Sequence, residues 1–203
     1  MVNLAELPAL PRGGPMVVGL YSSVPRSGKT AAAQALVEDG FVRVPFAAVL
    51  RAMTLLLLTR LGYEEPLAAE LVNERKECPL DALDGVTPRR LMQTLGTDWG
   101  RQLVHEELWL RCWAQQARQE LAAGRRVVVD DVRFANEAAL VESFPGGVMV
   151  ELRRPDAEVS ATVVAHASEG GLAQWPFAAV VINRGTLPEL KQQIRQLIRQ
   201  LET

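Results

Sequence analysis

Short apolar runs alternate along the chain with longer segments of helix-forming composition. The runs that we predict to be β-strands are Met16–Tyr21, Phe41–Val44, Arg126–Asp131, Gly147–Leu152 and Phe177–Ile182. Because these runs are apolar at nearly every position rather than at every second one, they suit strands that are buried on both faces. The pattern therefore predicts an α/β fold in three layers, with a parallel sheet between two layers of helices.

Helical segments follow most of these strands. We predict helices at Gly28–Glu38, Phe46–Leu61 and Asn136–Ser143, and a largely helical middle from residue 64 to 124 that prolines and glycines interrupt. Thr87-Pro88 is typical of an N-cap followed by the first helical position.

The last helix has the clearest pattern. Thr186 and Glu189 are spaced as a capping box, which marks a helix start. One stripe of this helix is apolar, and we expect it to face the core: Leu187, Leu190, Ile194, Leu197, Ile198 and Leu201. Trp109 and Trp113 are four residues apart, which also predicts a position in the core.

Composition limits the size and class of the protein. The 203 residues suit a single domain, with a helical region at about residues 46–123 and an irregular segment at about residues 153–175. The 22 basic and 24 acidic side chains leave a net charge of −2, which disfavours a protein that coats a nucleic acid polymer. The most lipid-like stretch, Ala52–Thr59, is too short to span a bilayer. Cys78 and Cys112 lack the spacing of a metal or redox site, which fits a reducing cytoplasm. Together with the short apolar stretch, this leads us to expect a cytoplasmic protein that does not bind membranes.

The first strand-to-helix turn carries a phosphate-binding pattern. Residues 22–30 read SSVPRSGKT, and Ser23–Thr30 matches G-x-x-x-x-G-K-[ST] except that serine replaces the first glycine. In such a loop, backbone N–H groups and the helix N-terminus bind phosphate, the lysine reaches the β- and γ-phosphates, and the threonine hydroxyl joins the Mg²⁺ shell. We therefore predict ATP and Mg²⁺ as cofactors. The predicted ATP-binding residues are Ser23, Arg26, Ser27, Gly28, Lys29 and Thr30.

Two carboxylates end the strand-like run at 126–131. Asp130 and Asp131 follow three valines, as in phosphate-loop proteins whose corresponding strand supports Mg²⁺. Alternation along a strand sends the two side chains to opposite faces, so we expect them to do different jobs. The predicted metal-binding residues are Thr30 and Asp130, partly through water.

Arginines outnumber lysines 19 to 3, and several lie near the expected strand tips. Two phosphate groups that face each other need several cations to offset their repulsion. In a chain with a net charge of −2, such a group of cations indicates small anionic ligands. The arginines concerned are Arg51, Arg89, Arg90, Arg101, Arg111, Arg133, Arg153 and Arg154.

Three segments resemble the signature of one enzyme family. Thr87–Arg101 (TPRRLMQTLGTDWGR) and Asp131–Glu137 (DVRFANE) resemble the bacteriophage-type deoxynucleoside monophosphate kinases. A looser match, His166–Glu169 with Trp175–Phe177 and Ile182–Leu187, is also similar to dephospho-coenzyme A kinases. Ser23 departs from the family pattern, and so does Thr30, where an aspartate often follows the lysine.

The resemblance implies a P-loop kinase fold in which the helical region at about residues 46–123 binds the substrate nucleotide. The segment at about residues 153–175 would be the lid. It also implies transfer of the ATP γ-phosphoryl group to a deoxynucleoside monophosphate, in DNA precursor synthesis and in the host cytoplasm if a phage encodes the chain. The implied partners are small nucleotides, and a homodimer is compatible with the sequence.

The resemblance further assigns roles to individual residues. Arg51, Arg89 and Arg90 would meet the acceptor phosphate, and Gln93 and Trp99 would hold the base. The residues implied in catalysis are Lys29, Arg51, Asp131, Arg133, Arg153 and Arg154. The residues implied in substrate binding are Arg51, Arg89, Arg90, Gln93, Trp99, Arg101, Asp131, Arg133, His166 and Glu169.

Two alternatives differ in chemistry. A dephospho-coenzyme A kinase phosphorylates a hydroxyl, for which we expect a carboxylate just after the second strand, and Phe41–Phe46 contains none. A non-catalytic module would bind ATP in the altered loop without turning it over.

Overall fold

The computed structural model describes residues 16–155 and 171–201. The chain divides into two compact units. The sheet unit comprises Met1–Pro45 and Ala114–Thr203, and the helical unit comprises Phe46–Trp113. The description of the chain as one kinase domain with a substrate-binding region at 46–123 and a lid at 153–175 stays a prediction.

The sheet unit is built on five parallel strands in the order β2-β3-β1-β4-β5. The strands are β1 (Val17–Tyr21), β2 (Phe41–Arg43), β3 (Arg126–Val129), β4 (Gly147–Arg153) and β5 (Ala179–Ile182). Every residue of β1 is buried, as the continuous apolar pattern predicts. The strand predicted at 126–131 ends at Val129, so both aspartates follow the strand instead of lying in it.

Three helices belong wholly to the sheet unit: α1 (Lys29–Glu38), α6 (Ala135–Ser143) and α7 (Leu187–Leu201). Leu190, Ile194 and Ile198 of α7 pack in one buried cluster with alanines of α1 and valines of the central strands. The predicted capping box is present, since Thr186 N donates to Glu189 Oε2 at 2.7 Å. Leu187 does not belong to the buried stripe, because it is 60% exposed at the first position of the helix.

The helical unit contains α2 (Ala48–Arg60), α3 (Glu65–Asn73) and α4 (Pro88–Thr94), with a 3₁₀ turn at Asp81–Leu83. Its small core is formed by Leu58, Ala68, Leu71, Val72 and Leu80. Thr87 caps α4 as predicted, with its hydroxyl accepting from Arg90 N at 3.2 Å. Helix α5 (Leu108–Ala122) begins in this unit and continues past residue 113.

A π-helical segment, Leu95–Val104, follows α4 directly. The sequence predicts ordinary helix here, and the structure differs. Gly100 packs so tightly on Trp109 that a Cβ atom would lie 2.4 Å from the indole ring. The Trp109 indole N–H donates to Gly96 O at 2.7 Å. Trp109 and Trp113 are both buried, which confirms the prediction that they are core residues.

No helix in residues 16–155 and 171–201 combines the length and the apolarity needed to cross a bilayer.

Candidate active site

The loop between β1 and α1 lies where a parallel sheet binds ligands, at the carboxyl ends of the strands. Gly28 has a φ of +104°, in the region that favours glycine, and a Cβ there would lie 2.5 Å from Leu190 Cδ2. Ser23 does not have a positive φ, so serine replaces the first motif glycine without backbone strain. The strained residue is instead Arg26, with φ 57°.

Three backbone carbonyl oxygens of this loop accept hydrogen bonds from side chains. Lys29 Nζ donates to Ser22 O at 3.4 Å, and Arg154 Nη1 donates to Arg26 O at 3.0 Å. Asn183 Nδ2, just after β5, donates to Ser27 O at 2.9 Å in a buried bond. These bonds fix the loop through its carbonyl oxygens, and within the loop Val24 N donates to Ser22 Oγ at 3.3 Å.

The loop residues fit a bound phosphate. Ser27 is 1% exposed, and its hydroxyl oxygen has no hydrogen-bond partner in the described part of the chain. A buried hydroxyl without a partner costs about 1–3 kcal/mol, which a phosphate oxygen would recover on binding. The N-terminus of α1, a helix of 10 residues, adds partial positive charge at the same place.

Asp130 and Arg43 form a two-bond ion pair at the same edge of the sheet. Arg43 Nε lies 2.9 Å from Asp130 Oδ1, and Arg43 Nη2 lies 2.9 Å from Asp130 Oδ2. A carboxylate has about four lone-pair sites, so two remain for water. Direct metal coordination by Asp130 would compete with Arg43, whereas a contact through water would not.

Among the described residues, oxygen donors suitable for Mg²⁺ are present, but they do not form a complete set of protein ligands. Within residues 16–155 and 171–201, no three or more His, Cys, Asp or Glu side chains lie close enough to hold a metal ion together. Mg²⁺ in kinase sites binds mainly to substrate phosphates and water, with one or two protein oxygens. The Thr30 hydroxyl and the carboxylates of Asp130 and half-buried Asp131 fit this role.

Buried Glu137 organises the turn after β3. Its Oε2 accepts hydrogen bonds from Arg133 N at 2.7 Å and Phe134 N at 3.2 Å. These bonds fix the backbone at Arg133, whose side chain is exposed. The exposed Arg133 side chain, which is predicted to bind phosphate, is therefore carried by a fixed backbone.

Arg153 is held at the end of β4 by Glu151. Arg153 Nε and Nη2 lie 2.9 and 2.7 Å from Glu151 Oε2. This hydrogen bonding raises the pKa of Arg153 further above its ordinary value. An arginine is charged at physiological pH with or without this shift, so the effect of Glu151 is to orient the guanidinium.

Six other predicted substrate residues lie on the helical unit: Arg51, Arg89, Arg90, Gln93, Trp99 and Arg101. Arg51 of α2 donates to Asn73 Oδ1 at 3.4 Å, and Arg89 of α4 pairs with Glu77. Arg90 and Gln93 are exposed on α4. In the π-helical segment, Arg101 is half-buried and Trp99 is 42% exposed. His166 and Glu169 lie outside the described residues.

Comparisons with known proteins decide the family. A family model described as deoxynucleotide monophosphate kinase matches residues 46–194. A protein of Acanthamoeba polyphaga mimivirus, named as a deoxynucleotide monophosphate kinase, is 31% identical over 182 residues, which cover 83% of this chain and 89% of that protein. The chain belongs to the deoxynucleotide monophosphate kinase family.

Another relative of this kinase supports the match over a shorter stretch. The deoxynucleoside-5'-monophosphate kinase of Escherichia phage T5 is 40% identical over 72 residues, which cover 36% of this chain and 28% of the phage protein. Membership of the family confirms the predicted family, the predicted activity as a deoxynucleoside monophosphate kinase and the predicted enzyme class, a phosphotransferase. A kinase of this family uses ATP and nucleotide substrates.

Solved structures confirm the fold of the kinase. A dephospho-CoA kinase from Campylobacter jejuni superposes with a TM-score of 0.52 at 10% identity, over 93% of this chain and 98% of that one. The Thermus thermophilus protein TT1252 gives a TM-score of 0.50 at 16% identity, over 94% of this chain and all of that one. At these identities the likeness shows the fold alone, and it confirms the predicted P-loop kinase architecture.

Three supporting residues of the kinase site escaped the sequence analysis. Asn183 belongs to the family-like segment Ile182–Leu187, and its side chain holds the phosphate-binding loop at Ser27 O. Glu137, also in a quoted motif, holds the turn at Arg133. Arg43 is the third of the four residues of the predicted strand Phe41–Val44, and a charged residue near the end of an apolar strand is the signal that could have revealed it.

Proposed function

We propose that this protein transfers the γ-phosphoryl group of ATP to the phosphate of a deoxynucleoside monophosphate, giving a deoxynucleoside diphosphate and ADP. The observation that carries the proposal is the loop at Ser22–Thr30. It combines a buried, unpartnered Ser27 hydroxyl, a helix N-terminus and Lys29 in the order that a triphosphate tail requires. Membership of the family supplies the class of acceptor.

Positioning and charge neutralisation account for the chemistry. The acceptor oxygen already carries negative charge, so no general base is needed. Lys29 and the loop N–H groups bind the donor phosphates, while Arg133, Arg153 and Arg154 neutralise charge on the group in transfer. Mg²⁺, when bound, would neutralise phosphate oxygens and contact the Thr30 hydroxyl, with Asp130 acting through water. The predicted lid at residues 153–175, of which residues 156–170 lie outside the described residues, would have the role of excluding water and preventing hydrolysis of ATP.

The helical unit supplies the acceptor residues in this proposal. Arg51, Arg89 and Arg90 bind the acceptor phosphate, and Gln93 and Trp99 contact the base. An amide that both donates and accepts can bind the edge of a base, and an exposed indole can stack on its face. We expect the enzyme to work in deoxynucleotide biosynthesis in the cytoplasm, with a homodimer as its proposed assembly.

Transfer to a hydroxyl acceptor is disfavoured by the end of β2. A hydroxyl acceptor calls for a nearby carboxylate as general base. The structure has Arg43 at this position, and its guanidinium is paired with Asp130. A cation there suits an anionic acceptor better than a neutral one.

A coupled ADP-release assay over the four common deoxynucleoside monophosphates and the four ribonucleoside monophosphates tests the proposal. We expect acceptor-dependent ADP formation with at least one deoxynucleotide. Lys29→Ala should reduce kcat by about 10²- to 10³-fold, the effect of removing one strong transition-state donor. Lys191→Ala is the matched control, because Lys191 lies on α7 and binds Glu38, and it should keep wild-type rates.

Two results would contradict the proposal. Binding of an ATP analogue without acceptor-dependent ADP would indicate a non-catalytic module. Wild-type rates in Lys29→Ala would remove the phosphate-binding loop from the mechanism.

A further inference from the structure

The pair of Arg43 and Asp130 connects the ends of two neighbouring parallel strands. Arg43 is the last residue of β2, and Asp130 is the first residue after β3. Two bonds of 2.9 Å join the guanidinium to both carboxylate oxygens. The side chain of Asp130 is 3% exposed, whereas that of Arg43 is 36% exposed. A buried carboxylate thus holds a guanidinium that reaches the surface.

Stability alone is a poor explanation for this pair. Burying a carboxylate costs several kcal/mol, and well-packed apolar residues often stabilise a protein equally well in its place. What the pair provides is a fixed orientation, since the two parallel bonds use Nε and Nη2. Nη1 meets no hydrogen-bond acceptor among residues 16–155 and 171–201. Its two N–H groups are therefore available to a ligand.

The backbone of Arg43 lies to one side of the loop that binds the donor. In the order β2-β3-β1, two strand spacings separate β2 from β1, and each is about 4.8 Å. Arg43 therefore lies about 10 Å to the side of β1, whose carboxyl end carries the loop. Reacting atoms in a productive complex are about 3–3.5 Å apart, so the second phosphate group lies beside the γ-phosphate, on one side of the loop. The two bonds to Asp130 hold the Arg43 guanidinium at the end of β3, on the β2 side of that loop.

We propose that Arg43 binds the phosphate group of the acceptor nucleotide, and that Asp130 is the positioning residue that fixes its guanidinium. This inference rests on the proposed function and adds a binding residue that the sequence alone did not indicate. Arginine suits this place because its planar fork can bind the carboxylate on one edge and phosphate on another.

Steady-state kinetics of three variants test the inference. Arg43→Gln and Arg43→Lys should raise the KM of the acceptor by about 10- to 100-fold, the effect of losing a charge-assisted hydrogen bond. The KM of ATP should stay within about threefold. Asp130→Asn should raise the acceptor KM by a smaller factor, because the guanidinium is present but less well oriented. Arg125→Gln is the matched control, since Arg125 is an exposed arginine paired with Glu120, and it should behave as the wild type.

The double variant Arg43→Gln/Asp130→Asn separates binding from folding. Arg43→Gln alone leaves a buried carboxylate without its cation, which lowers the thermal unfolding midpoint. The double variant removes both charges and should recover that midpoint while it keeps the high acceptor KM. Recovery of the acceptor KM along with the midpoint in the double variant would overturn the inference, and so would an equal rise in the KM values of both substrates in Arg43→Gln.

Equilibrium binding of the deoxynucleoside monophosphate by calorimetry distinguishes the two proposals. If the wild type binds the acceptor without forming ADP, the proposed function fails, while weaker binding by Arg43→Gln still supports the role of Arg43. If the wild type forms ADP and Arg43→Gln binds the acceptor as tightly, the proposed function stands and the inference fails. A wild type that binds no acceptor contradicts both.

Discussion

The sheet unit and the helical unit hold their candidate site residues in different ways. In the sheet unit, Arg43 and Arg153 are tied to the nearly buried carboxylates of Asp130 and Glu151. In the helical unit, Arg89 pairs with Glu77, and both side chains are exposed. An exposed pair contributes about 0–1 kcal/mol, whereas removing the cation from a nearly buried carboxylate leaves the desolvation of that carboxylate uncompensated. Changes to the sheet-unit site should therefore affect folding and activity together, and changes to the helical unit should affect activity alone.

The largest combined loss of stability and nucleotide binding is expected for Gly28→Ala. The added methyl group would contact Leu190 and Asn183 and impose strain at a φ of +104°. We expect a loss of about 1–3 kcal/mol in the free energy of unfolding from overpacking, together with weaker binding of an ATP analogue. Chemical denaturation and nucleotide titration measure the two effects.

Gly40→Ala is the matched control for this prediction. Gly40 has a φ of +89°, and a Cβ there would meet nothing within 4 Å. This variant carries the backbone strain without the contact, so it should lose less stability and keep its nucleotide affinity. Equal losses in the two variants would show that packing behind the loop does not matter.

A smaller effect, confined to activity, is expected for Arg90→Gln in the helical unit. Loss of one charge-assisted bond to phosphate should raise the acceptor KM about 10-fold or more, and the unfolding midpoint should not change because the side chain is exposed. Arg60→Gln, an exposed arginine at the end of α2, is the control. A clear fall in the unfolding midpoint of Arg90→Gln would contradict the expectation that changes to the helical-unit site residues affect activity alone.

The smallest effect is expected for Glu38→Gln, which lies in the sheet unit but on its surface. Glu38 accepts hydrogen bonds from Lys191 Nζ at 2.6 Å and Arg195 Nη2 at 2.7 Å, and these bonds lower its pKa. A carboxyl with a lowered folded-state pKa stabilises the fold above its unfolded pKa, near 4.5, and loses that contribution as pH falls through the folded value.

Thermal unfolding of the wild type and Glu38→Gln at several pH values checks this prediction. The midpoints should differ slightly at pH 7 and converge below about pH 4.5, the ordinary value of a glutamate. A difference that persisted unchanged in acid would mean that the ion pairs are not its source. A large difference at pH 7 would show that surface position does not limit the effect.

Local features of the fold could be predicted from the sequence because neighbouring residues determine them. The cap at Thr87, the capping box at Thr186 and Glu189 and the buried strand β1 all depend on a few adjacent positions. The phosphate-binding loop is predictable for the same reason, since its residues are contiguous. The π-helical segment was not predictable, because it depends on tight packing of Gly100 against Trp109.

Contacts between distant parts of the chain could not be predicted. Arg43 and Asp130 are 87 residues apart, and Asn183 and Ser27 are 156 apart. Both contacts depend on strand order, and the sequence pattern indicates strands without giving their order. A run of apolar residues is equally compatible with a central and an outer position, so the partner at each strand end stays undetermined until the sheet is assembled.

The bond from Asn183 to Ser27 has a consequence for how the enzyme matures. Ser27 is translated 156 residues before the amide that fixes its carbonyl oxygen. During synthesis, the nucleotide-binding loop therefore emerges well before the segment that anchors it. The loop takes its full set of supporting bonds only after Asn183 has followed β5 into place.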